Sequence, residues 1–115
     1  MSHTNIYYNS SCSKSRQILK LLLEYNIESN LIDYLNSQLT VEQLTHIINL
    51  GIPVKDLIRT NEDEWKDLTL NIDNSTDKEL INAIINQPKI LQRPIILING
   101  KAIIARPPEK ALEIL

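Results

Sequence analysis

Phenylalanine is absent from this chain of 115 residues, and tryptophan, methionine and cysteine occur once each. With so few large aromatic side chains, the core has to be assembled from isoleucine and leucine. The length and the ordinary 43% hydrophobic share suit a single domain spanning 1–115. A lone cysteine closes no internal disulfide, so the expected setting is a reducing one, the cytoplasm. A monomer is expected. No apolar run reaches the length of a bilayer crossing, and residues 1–10 lack the apolar stretch of a signal peptide, so no membrane partner is expected. Basic residues are not in excess. A net charge of −2 argues against a nucleic-acid-binding face. The two glycines are too few for a phosphate-cradling loop, and no Cys/His cluster suggests a bound metal. His3, near the N-terminus, and His46, within a helical stretch, read as surface or packing residues.

The single cysteine stands in the stretch Tyr8-Asn9-Ser10-Ser11-Cys12-Ser13-Lys14-Ser15-Arg16. Asn5 to Tyr8 reads as a short strand. Ile18, Leu21, Leu22 and Tyr25 then recur at i, i+3, i+4 and i+7, widened by Leu19 and Leu23, and predict a helix running to about Asn26. Cys12 therefore falls where a strand ends and a helix begins. The first N–H groups of a helix lack internal partners and carry partial positive charge. A thiol there ionises more easily: the usual pKa of about 8.5 can fall to roughly 3.5–7.5. Lys14 and Arg16 push the same way, and the bare N–H groups suit an anion. Free cysteine is commonly a small buried hydrophobe, but the serines and lysine around Cys12 argue for exposure.

Ser29 to Leu35 reads as a second strand. Strand, helix and strand over about thirty residues make a βαβ unit with parallel strands. A helical region follows. Thr40 and Gln43 fit a capping box, with Leu44, Ile47 and Ile48 facing inward and Gly51 just past the end. Pro53 opens a short helix through Leu57-Ile58. A further turn carries Trp65 as a core plug, with Glu62, Asp63, Glu64 and Asp67 on a solvated face. Thr76 and Glu79 form a second capping box before Leu80, Ile81, Ile84 and Ile85. Pro94 to Ile98 reads as a buried strand, Asn99-Gly100 as a hairpin turn, and Lys101 to Ala105 as the returning strand. Arg106-Pro107-Pro108-Glu109 opens a final helix in which Ala111, Leu112 and Leu115 face inward.

A βαβ unit and a ββα unit, with a cysteine at the first helix start and a proline opening the third strand, look like a thioredoxin fold. That implies an α/β protein with a four-stranded mixed sheet. Here the halves are separated by a helical insertion at about 38–88, an arrangement that resembles the ArsC family, the glutaredoxin-coupled arsenate reductases and their relatives. The likeness runs end to end. It rests on Tyr7 to Arg16, Leu57-Ile58-Arg59, Gln92-Arg93-Pro94-Ile95, and Arg106-Pro107-Pro108-Glu109 followed by Ala111 to Leu115.

The resemblance implies that Cys12 is the nucleophile and that Arg59, Arg93 and Arg106 bind the oxyanion. It further implies supporting roles for Ser15 and Arg16 beside the thiolate, and a cis bond at Arg93–Pro94. Sequence alone leaves that isomer open, since most X-Pro bonds are trans. Where the family often has His-Asn-Pro before the cysteine, this chain has Tyr8-Asn9-Ser10, and a neutral phenol can offer the thiolate only one hydrogen bond.

The implied reaction is reduction of arsenate, or a similar oxyanion, to arsenite through a covalent cysteine–arsenic adduct, with glutathione as co-substrate, glutaredoxin as partner and no bound cofactor. Arginine suits such a substrate because its planar fork gives paired charge-assisted bonds and stays protonated. Reduction takes two electrons and this chain has one thiol, so the remaining equivalents come from outside. Two other readings stand beside it. One is a regulator resembling the Spx proteins, which bind RNA polymerase, although Ser15 occupies the second position of their Cys-x-x-Cys switch. The other is a thiol-transfer protein that forms a mixed disulfide with glutathione.

Overall fold

The computed structural model describes residues 4–9 and 11–115. His3 and Ser10 lie outside the described residues. The chain divides into two compact units, Met1–Ser37 with Arg93–Leu115, and Gln38–Gln92.

The first unit is built on a four-stranded mixed sheet in the order β2-β1-β3-β4. Strand β1 (Asn5–Tyr8) leads into helix α1 (Ser13–Glu24), and β2 (Asn30–Asp33) returns parallel to β1. Strand β3 (Ile95–Ile98) runs antiparallel to β1 and pairs with β4 (Lys101–Ile104) in a hairpin. The turn residues Asn99 and Gly100 have φ of 54° and 73°, the left-handed pair that a two-residue hairpin requires. On one face of the sheet Ile6, Ile96 and Ile98 form a core with Ile18 and Leu22 of α1, Ala105 and Ala111. Alternation along the strands puts Tyr7, Ile95 and Leu97 on the opposite face, where they too are buried.

Helix α1 ends in a Schellman motif. The N–H of Ile27 donates to Leu22 O and that of Asn26 to Leu23 O, with Asn26 at φ 57°. The buried stripe of α1 is narrower than the periodicity suggests. Ser15, Ile18 and Leu22 are buried, whereas Leu23 is 71% and Tyr25 51% exposed. The last segment also departs from expectation. Pro108–Glu113 is a 3₁₀ helix, not an α-helix. With three residues per turn, Pro108 and Ala111 are buried and Ile114, just beyond the helix, is half-buried, while Leu112 and Leu115 are exposed. The Arg93–Pro94 and Arg106–Pro107 bonds are both cis.

The second unit holds α2 (Val41–Asn49), a 3₁₀ turn at Val54–Leu57, α3 (Asp63–Asp67), α4 (Asp77–Asn86) and a second 3₁₀ turn at Pro88–Ile90. Helix α4 packs against α2 and both turns, burying Leu44, Ile47, Leu57, Leu80, Ile84 and Ile90. Trp65 is buried on α3. Both capping boxes form, Thr40 with Gln43 and Thr76 with Glu79. Gly51, at φ 115°, follows α2 and donates to Ile48 O. Because Thr76 Oγ1 satisfies the otherwise orphaned N–H of Glu79, Thr76→Ala should lower unfolding stability by about 1 kcal/mol. Chemical denaturation checks this.

Candidate active site

Asn9 shapes the loop that presents the cysteine. Its carbonyl accepts from the Cys12 N–H at 2.9 Å, its Oδ1 from the Ser11 N–H at 2.9 Å, and its own N–H donates to Ser15 Oγ at 3.2 Å. Asn9 and Ser15 are both buried, so the bond between them is shielded from water. Cys12 takes the N-cap position of α1 in an extended conformation (φ −92°, ψ 123°), and its carbonyl accepts from the Arg16 N–H at 3.2 Å. This places the sulfur over the first turn of the helix.

Burial pushes the Cys12 thiol up, but the N–H groups of Ser15 and Lys14 oppose it, as do the Ser15 hydroxyl and the Arg93 guanidinium. The outcome is a pKa lowered from 9.0 to about 7. The sulfur makes no regular capping bond, so the two N–H groups act chiefly as the positive end of the helix. Ser15 is more directional. Its oxygen receives the Asn9 N–H, which leaves its own proton for the sulfur. Ser15→Ala should therefore raise the Cys12 pKa from about 7 toward 9.0, read as an upward shift in the pH midpoint of alkylation by iodoacetamide. An unmoved midpoint would assign the depression to the other groups alone.

Two arginines converge on the same atom. Arg93, which immediately precedes β3, is only 8% exposed and hydrogen-bonds Cys12. Arg106, following β4, points its Nη1 at Cys12 Sγ from 3.7 Å. The same Nη1 donates to the Arg93 carbonyl at 3.0 Å, which fixes one arginine against the backbone of the other. The N–H of Ala105 donates to Pro94 O at 2.9 Å and ties the two segments together. A thiolate, helix N–H groups and two guanidinium groups thus surround one point, which suits a tetrahedral oxyanion under nucleophilic attack.

The remaining residues named from sequence are placed as follows. Pro94 is buried behind Arg93, and Arg16 is exposed in the first turn of α1. Tyr8 packs its ring against the core cluster beside α1. Arg59 belongs to the second unit, where its Nε pairs with Glu62 Oε1 at 3.3 Å. The sequence reading set Glu62 and Glu64 on a solvated helix face. Both are instead half-buried and ion-paired, Glu64 with Lys89 at 3.2 Å. The i,i+3 spacing of Arg59 and Glu62 was the available signal. His46 is exposed on α2, and among the described residues no group of three or more His, Cys, Asp or Glu side chains could hold a metal ion. No helix among them is long and apolar enough to cross a membrane.

A parallel βαβ half and an antiparallel hairpin half sharing one sheet, with a cysteine capping the first helix, define a thioredoxin-like α/β protein. Comparison with known proteins narrows this. The model of the ArsC family matches residues 7–114, and the chain belongs to that family. It is similar to the uncharacterised Escherichia coli protein YfgD, 40% identical over 112 residues that cover 95% of this chain and 93% of that protein. It is 38% identical to an arsenate reductase of Neisseria meningitidis serogroup A over 111 residues, 95% of each chain. Among solved structures, an arsenate reductase from Vibrio cholerae superposes with a TM-score of 0.92 at 39% identity, covering 98% of each chain.

Proposed function

We propose that this protein is an arsenate reductase that draws its electrons from glutathione and glutaredoxin. Cys12 thiolate attacks arsenic and displaces hydroxide or water, forming a covalent sulfur–arsenic bond. The glutathione thiol then displaces a second hydroxide, as water, from the arsenic and forms a second sulfur–arsenic bond. A glutaredoxin thiol takes the glutathione sulfur as a mixed disulfide, and the electron pair released by these two external thiols reduces arsenic(V) to arsenic(III). Water then replaces the Cys12 sulfur on arsenic(III), so that arsenite leaves and Cys12 returns to its thiolate. The protein needs no bound cofactor and acts as a cytoplasmic monomer. Arg93 and Arg106 hold the oxyanion and neutralise charge as the adduct forms, and Arg59 is the third anion-binding arginine.

The observation that carries this reading is the approach of both Arg93 and Arg106 to the sulfur of Cys12. One cluster serves two ends, since the charges that attract a dianion also favour the thiolate. The placement of Arg59 rests on its match to the family's motif. Ser15, three residues beyond Cys12, leaves no second thiol for a Cys-x-x-Cys switch, which favours the enzyme over an RNA-polymerase-binding regulator. A coupled assay with arsenate, glutathione and glutaredoxin tests the proposal. Arsenate-dependent oxidation of glutathione is expected, and its absence with active glutaredoxin present would overturn it.

A further inference from the structure

Asn9 holds the loop before α1 with its backbone and with its side chain. The Asn9 carbonyl accepts from the Cys12 N–H at 2.9 Å, and the Asn9 N–H donates to Ser15 Oγ at 3.2 Å. Those are backbone groups, which any residue but proline would supply. The side-chain bond is different. Asn9 Oδ1 accepts from the Ser11 N–H at 2.9 Å, an Asx turn that needs a short side chain ending in an acceptor. Asn9 is only 8% exposed, so water does not readily stand in for that oxygen. The very next residue is Cys12, extended at the N-cap of α1.

We propose that the Asn9 side chain is a positioning group for the nucleophile: its bond to the Ser11 N–H fixes the loop so that the Cys12 sulfur lies over the first turn of α1 and within reach of Arg106. The inference rests on the reading of Cys12 as the nucleophile. The donors that meet the sulfur come from several directions: the N–H groups of Lys14 and Ser15, the Ser15 hydroxyl, and Arg106 Nη1 at 3.7 Å. Such contacts are short and directional, so a sulfur displaced by about 1 Å leaves them together. The arginines do not depend on the turn. Arg106 Nη1 is held by the Arg93 carbonyl at 3.0 Å, and the Ala105 N–H by Pro94 O at 2.9 Å. Asparagine is also the residue type that suits. Aspartate would close the same turn but set a carboxylate near the thiolate, and like charge opposes ionisation. Serine closes it more weakly.

Asn9→Leu keeps the branched shape and removes the acceptor. The pH midpoint of Cys12 alkylation by iodoacetamide should move up from about 7 toward 9.0. With arsenate, glutathione and glutaredoxin, kcat measured above both midpoints should fall about tenfold to hundredfold, the scale for a nucleophile misplaced by about 1 Å. KM for arsenate should stay within about threefold, because Arg93 and Arg106 are untouched. Asn9→Ser restores a weaker acceptor and should bring midpoint and kcat part of the way back. Melting temperature is recorded for every variant, and Asn9→Ala takes the place of Asn9→Leu if leucine prevents folding. A folded Asn9→Leu that keeps the parent midpoint overturns the positioning role, whatever its turnover. So does a raised midpoint that a folded Asn9→Ser leaves equally raised. If the parent protein does not turn over arsenate, the reductase reading fails by itself, and the midpoints of Asn9→Leu and Asn9→Ser still decide this inference.

Discussion

Cys12→Ser should reduce arsenate-dependent oxidation of glutathione to the uncatalysed background while leaving the fold and the anion pocket in place. Serine retains the shape of the N-cap and is itself a favoured residue there, so helix α1 should form as before. A hydroxyl near neutral pH does not ionise, so the nucleophile is lost and not merely weakened. Removing the thiolate also removes a negative charge that repels the incoming oxyanion. Sulfate should therefore bind Cys12→Ser at least as tightly as the parent protein, followed by isothermal calorimetry because the alkylation target is gone. Turnover retained in Cys12→Ser would reject the nucleophile assignment. Lost turnover together with lost sulfate binding would indicate a collapsed loop instead.

Arg93→Ala should have the second largest effect, and it should act on two observables at once. Arg93 is buried and hydrogen-bonds the Cys12 sulfur. Its removal should lift the Cys12 pKa from about 7 toward 9.0. Sulfate protection should weaken about tenfold to hundredfold, the range for losing a shielded, charge-assisted contact. The Arg93 carbonyl that receives Arg106 Nη1 is a backbone group and survives the substitution, so Arg106 should remain in place. Arg93→Lys should restore the charge but not the paired geometry, and should recover the pKa better than the affinity. Unchanged sulfate affinity in Arg93→Ala would remove this residue from the binding site.

The lowered thiol pKa also links pH to stability. Between about pH 7 and 9 the unfolded chain holds a proton on Cys12 that the folded chain has released. Stability therefore rises with pH across that window. The contribution is complete above the unfolded pKa and lost as pH falls through the folded one.

Features encoded by neighbouring residues were legible in the sequence. Both capping boxes, the Asn99-Gly100 turn and the parallel pairing of β1 with β2 are decided within a few residues or by the shortness of a connection. What depended on the type of helix was not. The inward placement of Leu112 and Leu115 assumed an α-helical period, and the segment winds as a 3₁₀ helix. Leu23 and Tyr25 continued an apolar pattern past the edge of the surface that α1 buries. At the site, Cys12 and its helix start could be read from local pattern, whereas Arg93 and Arg106 were visible only through likeness to a family, because residues about eighty positions or more from Cys12 must fold back to it. The bond from the Asn9 N–H to Ser15 Oγ, which orients the serine toward the sulfur, has no sequence signature.

The most direct test of the account is the ionisation of Cys12, followed by the ultraviolet absorbance of its thiolate with Cys12→Ser as the blank. A midpoint near pH 7 is the predicted result. A midpoint near 9.0, that of an unassisted thiol, would contradict the claim that helix N–H groups, Ser15 and Arg93 together prepare this sulfur for attack.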